Sequence, residues 1–282
     1  MDKSESVKEK YTSRIIKASA LLTDTKALLH LWDADIPVQD NLRRIRDDNL
    51  IGKPSRSRLD DVLPIFRRRY LAGPGLANAL SVLVKGRLPP SSLDRILYWY
   101  ALQADPLLRD FVTDYLYPRY RSGRVDLSTN EVISRLGSWR DEGRTAGPWS
   151  QETMSRVAQG LLATLRDFGL LAGAVNKHIV PPSLAVEAFA FVAFDRARAQ
   201  PSGERLLADP IWEVYFLDHT AAEREFLQAH QARLLHYHAA GSVVRIDFPL
   251  VSLEDYAASL LGGPRPAEYE TLAEEGHTRS WP

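Results

Sequence analysis

Along the first 120 positions apolar residues recur at spacings of three and four, in short runs cut by proline and glycine. Ile15, Ile16, Ala18, Leu21, Leu22, Leu28, Leu29 and Leu31 keep close to a 3.6-residue period and predict one helix over 11–31. Pro37 biases Ile36 away from helical geometry and ends it. Further helices are predicted over 38–47, 56–70, 76–84, 92–102 and 106–117. Gly52-Lys53-Pro54, Gly73-Pro74-Gly75 and Pro89-Pro90-Ser91 separate them. Ser55 and Asp105 are placed to cap the helices that follow them, and Pro106 opens its helix where no amide hydrogen is needed. Short helices joined in this way describe a helical bundle over residues 1–122.

The texture changes after Ser122-Gly123-Arg124-Val125. A helix over 128–137 is followed by a charged, glycine-containing loop over 138–148. Then Met154, Val157, Ala158, Leu161, Leu162, Leu165 and Phe168 fall on one helical stripe. Ser150 is a good N-cap for that helix, and Gly169 is placed to end it in a left-handed turn. Segments 170–173 and 174–180 read as two short strands around a turn, stopped by Pro181-Pro182. Helix, loop, amphipathic helix and two strands are the order of a winged helix-turn-helix, here over residues 123–182. Residues 183–262 read as a C-terminal α+β segment. It holds helices over 183–199, 221–234 and 253–261, and a small hairpin of 235–238 with 242–248 about Ala240-Gly241. Residues 263–282, with Pro264 and Pro266, read as a mobile tail. The fold class is mainly α with small β.

Composition removes several functions. The 282 residues contain no cysteine, so disulfides, thiolate nucleophiles and cysteine zinc sites are excluded. The first ten residues have no apolar core of a signal peptide, and the longest apolar run, residues 188–194, is far short of the ~20 needed to span a bilayer. These features fit a cytoplasmic protein with no membrane partner. The 36 basic and 36 acidic residues cancel, but unevenly: residues 1–126 carry a net +6, residues 127–181 +1 and residues 182–282 −7. The front of the chain suits a polyanion and the back a protein partner.

The chemistry-bearing constellation is the helix after Ser150. Its polar side carries Gln151, Ser155, Arg156, Gln159 and Arg166. In winged modules such a helix enters the major groove, where Gln and Arg side chains form paired bonds to adenine and guanine. Ser150 and the first free amides can hold a phosphate. Lys177 and His178, with Asn176, form the wing, and Arg140 and Arg144 add charge beside it. A second candidate surface comprises Arg43, Arg44, Arg46, Lys53, Arg56, Arg58 and Arg67-Arg68-Arg69. A solvated helix face and a protein-docking module are the bland readings of the same residues. No nucleotide-binding glycine loop and no nucleophile elbow occurs. His219, His230, His236 and His238 come nearest to a metal site, with His236 and His238 on one side of a strand, but they read as structural histidines. No catalytic residue, metal site or cofactor is assigned.

Several stretches resemble the BrxA family of BREX phage-defence systems. They are Tyr11-Thr12-Ser13 with Leu21-Leu22, Thr25 and Leu28-Leu29; Asn49-Leu50-Ile51-Gly52-Lys53-Pro54-Ser55-Arg56; and Arg69-Tyr70-Leu71. Most specific is Trp149-Ser150-x-x-Thr153-x-x-Arg156-Val157-Ala158 with Leu165-Arg166-Asp167-Phe168-Gly169-Leu170-Leu171. The resemblance spans roughly residues 10–260. It implies an N-terminal part similar to the RNA-binding antitermination protein NusB. It also implies a non-enzymatic role binding double-stranded DNA beside other BREX proteins. The family was once labelled inner-membrane, which the hydropathy of this chain opposes. Its acidic last third departs from a DNA-facing surface and suits a protein partner. Two alternatives stand beside DNA binding: a protein-interaction scaffold without nucleic acid, and RNA binding through the N-terminal bundle. Oligomeric state is not legible.

Overall fold

Tyr11 is not helical but forms an isolated bridge: it pairs in parallel with Thr145, giving its amide to the Arg144 carbonyl (2.8 Å) and accepting from Ala146 N–H (2.8 Å). The computed structural model describes residues 10–48, 56–174, 176–241 and 243–262, with the backbone alone for 56–58. The predicted helix over 11–31 is therefore two elements. A 3-10 turn, Ser13–Ile16, is followed by a bend at Leu21, whose φ of 52° is left-handed, and then by α1, Leu22–Leu31. Periodicity alone missed the break because Ile15, Ala18 and Leu28 are all buried whether or not the helix is continuous.

Contacts divide the chain into two units, grouping residues differently from the linear division read from the sequence. The first comprises residues 1–21 and 100–182; the second comprises residues 22–99 and 183–282.

In the second unit α1 is followed by α2 (Val38–Asp47), α3 (Arg56–Tyr70), α4 (Leu76–Lys85) and most of α5 (Pro90–Ala104). Trp32 Nε1 donates to Asn78 Oδ1 (2.9 Å), and Lys85 Nζ donates to the Trp32 carbonyl (2.5 Å), tying the end of α1 to α4. The unit continues with α10 (Val186–Ala199), whose apolar run is buried throughout. Phe189 packs against Trp212 (5.0 Å between ring centroids) and Phe226 (4.8 Å). That run is a core helix rather than a membrane span, and among the described residues no helix is long and apolar enough to cross a bilayer. Beyond α11 (Gly203–Leu207) a 3-10 turn, Pro210–Tyr215, leads to α12 (His219–Gln231). The predicted hairpin is present.

The first unit begins with the 3-10 turn and takes up the end of α5, then α6 (Pro106–Phe111), a π turn (Val112–Leu116) and α7 (Tyr117–Arg121). Pro118 has no N–H for the carbonyl one turn back, and the widened turn just before it relieves that clash. Then come β1 (Asp126–Leu127), α8 (Thr129–Asp141), α9 (Gln151–Asp167), β2 (Leu171–Ala172) and β3 (Lys177–Ile179). The strands form one antiparallel sheet in the order β1-β3-β2, with Asp126 opposite His178 and Leu171 opposite Ile179. A two-residue strand has no readable period, which is why β1 escaped the sequence reading. In the second unit β4 (His236–Ala240) and β5 (Val243–Asp247) form the hairpin, and α13 (Leu253–Leu260), capped by Ser252, packs on α4. The expected mobile tail, 263–282, lies outside the described residues, as does the Ser55 cap. The fold is mainly helical with small antiparallel sheets, as the patterning implied.

Candidate nucleic-acid interface

The candidate helix is built as its sequence requires. Ser150 Oγ accepts the Thr153 amide (3.1 Å), satisfying an orphan donor at the start of α9. At the other end Gly169 adopts φ 73°, and Leu170 N–H closes onto the Leu165 carbonyl (2.8 Å), a left-handed stop. Met154, Val157, Ala158, Leu161, Leu162, Leu165 and Phe168 are all buried. The opposite face carries Gln151, Arg156, Gln159 and Arg166 exposed and Ser155 half-buried. Arg156 makes no hydrogen bond or ion pair among the described residues. Arg166 is held by neighbouring Asp167 (3.0 Å). Glu152, also exposed, sets a negative charge in the first turn beside these donors.

α9 is fixed from behind. Gly160 faces the 3-10 turn so closely that a Cβ there would lie 2.8 Å from the Ile15 carbonyl oxygen. α8, which carries a capping box between Ser128 and Glu131, supports it from the side. The two backbone-to-carboxylate and hydroxyl-to-carboxylate bonds from Ser128 hold the Glu131 carboxyl below its ordinary range.

Arg140 and Arg144 are both engaged by neighbouring groups of their own unit. Arg140 ends α8, pairs with Asp141 (2.9 Å) and donates to the Trp149 carbonyl (3.4 Å), bracing the loop before α9. Arg144 is turned inward. Its guanidinium lies 4.8 Å from the Tyr11 ring centre and 4.9 Å from that of Trp139, and bonds Asp110 (2.8 Å) and Asp114 (3.4 Å). Tyr11 completes the cluster, donating its hydroxyl to Asp110 (2.7 Å); burial, then that bond, pushes its phenol pKa up. The sequence reading missed this anchor, since its members are separated by as many as 133 positions and share no motif.

On the sheet, Gly173 (φ 91°) turns the chain where a Cβ would meet the Asn176 carbonyl oxygen. Lys177 and His178 lie on the central strand β3. His178 is exposed; Lys177 is half-buried, its Nζ donating to the Ala174 carbonyl (2.9 Å). A cleft of about 490 Å³ beside Lys177 also exposes Asp126 and Glu131, so this corner is of mixed charge.

The second basic surface belongs to the other unit. Arg43 pairs with Asp40 (3.0 Å) and Arg46 with Asp60 (3.0 Å). Arg44 donates to the Leu31 carbonyl (2.6 Å) and is structural. The three consecutive arginines of α3 part company, as 100° steps around a helix dictate: Arg67 is exposed, Arg68 half-buried and Arg69 buried. Leu42, Pro64, Arg43, Arg46, Asp60 and Arg67 line a groove of about 430 Å³ between α2 and α3. Lys53 lies outside the described residues, and Arg56 and Arg58 are described by their backbone alone.

The BrxA family model matches residues 9–195. No curated protein matches the chain significantly. Among solved structures, the crystal structure of an uncharacterized protein from Magnetospirillum magneticum is similar with a TM-score of 0.55 and 16% identity. The similarity covers 73% of this chain and 98% of that one. At that identity the likeness speaks for the fold alone.

Proposed function

Because the chain belongs to the BrxA family, which associates it with BREX phage defence, we propose that it is a non-enzymatic component that binds double-stranded DNA. In this reading α8 and α9 with the β1-β3-β2 sheet form a winged helix-turn-helix, and α9 is its reading helix. The carrying observation is the two-sidedness of α9: seven apolar side chains are buried while Gln151, Arg156, Gln159 and Arg166 are left exposed. A helix that merely filled a core or docked within the monomer would have that polar face covered. Gln and Arg at this spacing suit base edges, and His178 with Lys177 suits sugar and phosphate. Arg43 and Arg67 supply a further phosphate-binding surface on the other unit. The acidic last third serves contacts with other BREX proteins.

Fluorescence anisotropy with a labelled duplex at low and moderate salt tests this. Binding should weaken steeply with salt as counterions are released. Arg156→Ala with Gln159→Ala should reduce affinity without changing the melting temperature. No binding at low salt, or full affinity in that double variant, refutes the assignment of α9. Preferential binding of hairpin RNA in competition would favour the bundle-RNA alternative instead.

A further inference from the structure

We infer, resting on the reading of α9 as the DNA-contacting helix, that the amino-terminal strap of residues 10–17 is a further wall of the same site and holds phosphates of the duplex backbone with Lys10, Arg14 and Lys17. Backbone contacts pin the strap beside α9. Tyr11 bridges to Thr145 in the loop before that helix. Further on, the chain lies against Gly160, where a Cβ would stand 2.8 Å from the Ile15 carbonyl oxygen and 3.4 Å from the Ile16 Cα. A side chain at this position would hold the strap off the helix. Gly160 is half-buried and sits at the margin of the polar face: exposed Arg156 stands one turn before it and buried Thr164 one turn after. The strap therefore runs from the start of α9 to its middle, along the edge that carries Arg156.

The strap's side chains sort by charge as well as by burial. Tyr11, Ile15 and Ala18 are buried, while Lys10, Arg14 and Lys17 are exposed. Arg14 and Lys17 stand three apart on the 3-10 turn Ser13–Ile16 and its C-cap, a spacing that stacks side chains one above the other. No Asp or Glu occurs from Lys10 to Thr23, so the strap has no carboxylate of its own to answer these cations. Elsewhere in the unit Arg109, Arg119, Arg140, Arg144 and Arg166 each pair with a carboxylate. The Arg14 guanidinium, like that of Arg156, makes no hydrogen bond or ion pair among the described residues. Like charges left unanswered along one edge raise the local concentration of a polyanion. The strap offers cations but no Asn or Gln. It therefore positions the duplex through phosphates and leaves base edges to Gln151 and Gln159.

The test is fluorescence anisotropy of the full chain with two labelled duplexes of unrelated sequence over a series of salt concentrations. The parent is compared with Arg14→Ala and with Arg14→Ala/Lys17→Ala. Each lost phosphate contact should flatten the slope of log affinity against log salt by roughly 0.9. The double variant should bind both duplexes about tenfold more weakly at low salt, by the same factor for each. Arg14→Lys/Lys17→Arg keeps both charges and should retain parental affinity. A variant that is partly unfolded loses apparent affinity but keeps the parental slope, so the slope decides. A parent that binds while the double variant keeps its affinity and slope removes the strap and leaves α9 in place. A loss confined to one duplex sequence overturns the phosphate assignment. A parent that binds neither duplex at low salt removes α9, and the strap with it.

Discussion

Replacing Gly160 by alanine tests how α9 is held. In an exposed helix the change stabilises by about 1 kcal/mol, because glycine pays more backbone entropy than alanine. Here the new Cβ would stand 2.8 Å from the Ile15 carbonyl oxygen and 3.1 Å from its carbon. Both atoms are backbone, so relief requires the 3-10 turn to move off the helix. Ile15 is 1% exposed, and fully uncovering such a side chain costs about 1.5–3 kcal/mol. Set against the helix-propensity gain, the net expectation is a loss of about 0.5–2 kcal/mol. At roughly 2–4 °C per kcal/mol the melting temperature falls by about 1–8 °C. Gly137→Ala is the matched control, since it lies within α8 with nothing within 4 Å of its added Cβ. It should raise the melting temperature through propensity alone. Scanning calorimetry of the two variants beside the parent reads both signs. A rise in both would refute the close approach of the amino-terminal turn to α9.

Arg156→Ala should leave the melting temperature unchanged while weakening duplex binding by about 1–2 kcal/mol, whereas Arg144→Ala should lower the melting temperature by breaking the Tyr11–Trp139–Asp110 anchor. Paired melting and anisotropy curves separate the two arginines. If α9 contacts DNA as proposed, Glu152→Gln should tighten binding severalfold at low salt and less at high salt, since it removes a negative charge from the first turn; weaker binding would count against α9 as the DNA-contacting helix. The Ser128–Glu131 capping box should contribute stability above the ordinary Glu pKa of 4.5 and lose it as pH falls through the lowered folded value. The melting-temperature gap between the parent and Glu131→Gln should therefore close on acidification, and a gap that widens would reverse the sign.

How much of this was legible in the chain depends on how local each feature is. The stripe from Met154 to Phe168, the Ser150 and Asp105 caps, the Gly169 stop and the boundaries of α2 were readable. Each depends on residues within a turn or two of one another, and burial of one helical face leaves its own period. The polar face of α9 followed from the same period. By contrast, Arg140 and Arg144 looked like any other exposed arginines. What commits Arg144 is Asp110, Asp114 and Tyr11, distant in sequence and adjacent only after packing. The break at Leu21 was hidden for a similar reason: the pairing of Tyr11 with Thr145 supplies backbone bonds that a continuous helix would otherwise have made.

The histidines mark the same division. Spacing along β4 set His236 and His238 on one side, but only folding brought the ring of His230, at the end of α12, to 5.9 Å from each of theirs. The sequence by itself determined helix faces, caps and the mainly helical class, because these are short-range consequences of side-chain periodicity and backbone hydrogen bonding. The tertiary structure alone decided which cations are spent on internal carboxylates and rings and which, like Arg156, stay exposed without such a contact among the described residues. Pairing of distant charges carries no local signature, and it is settled only when burial brings the chain together.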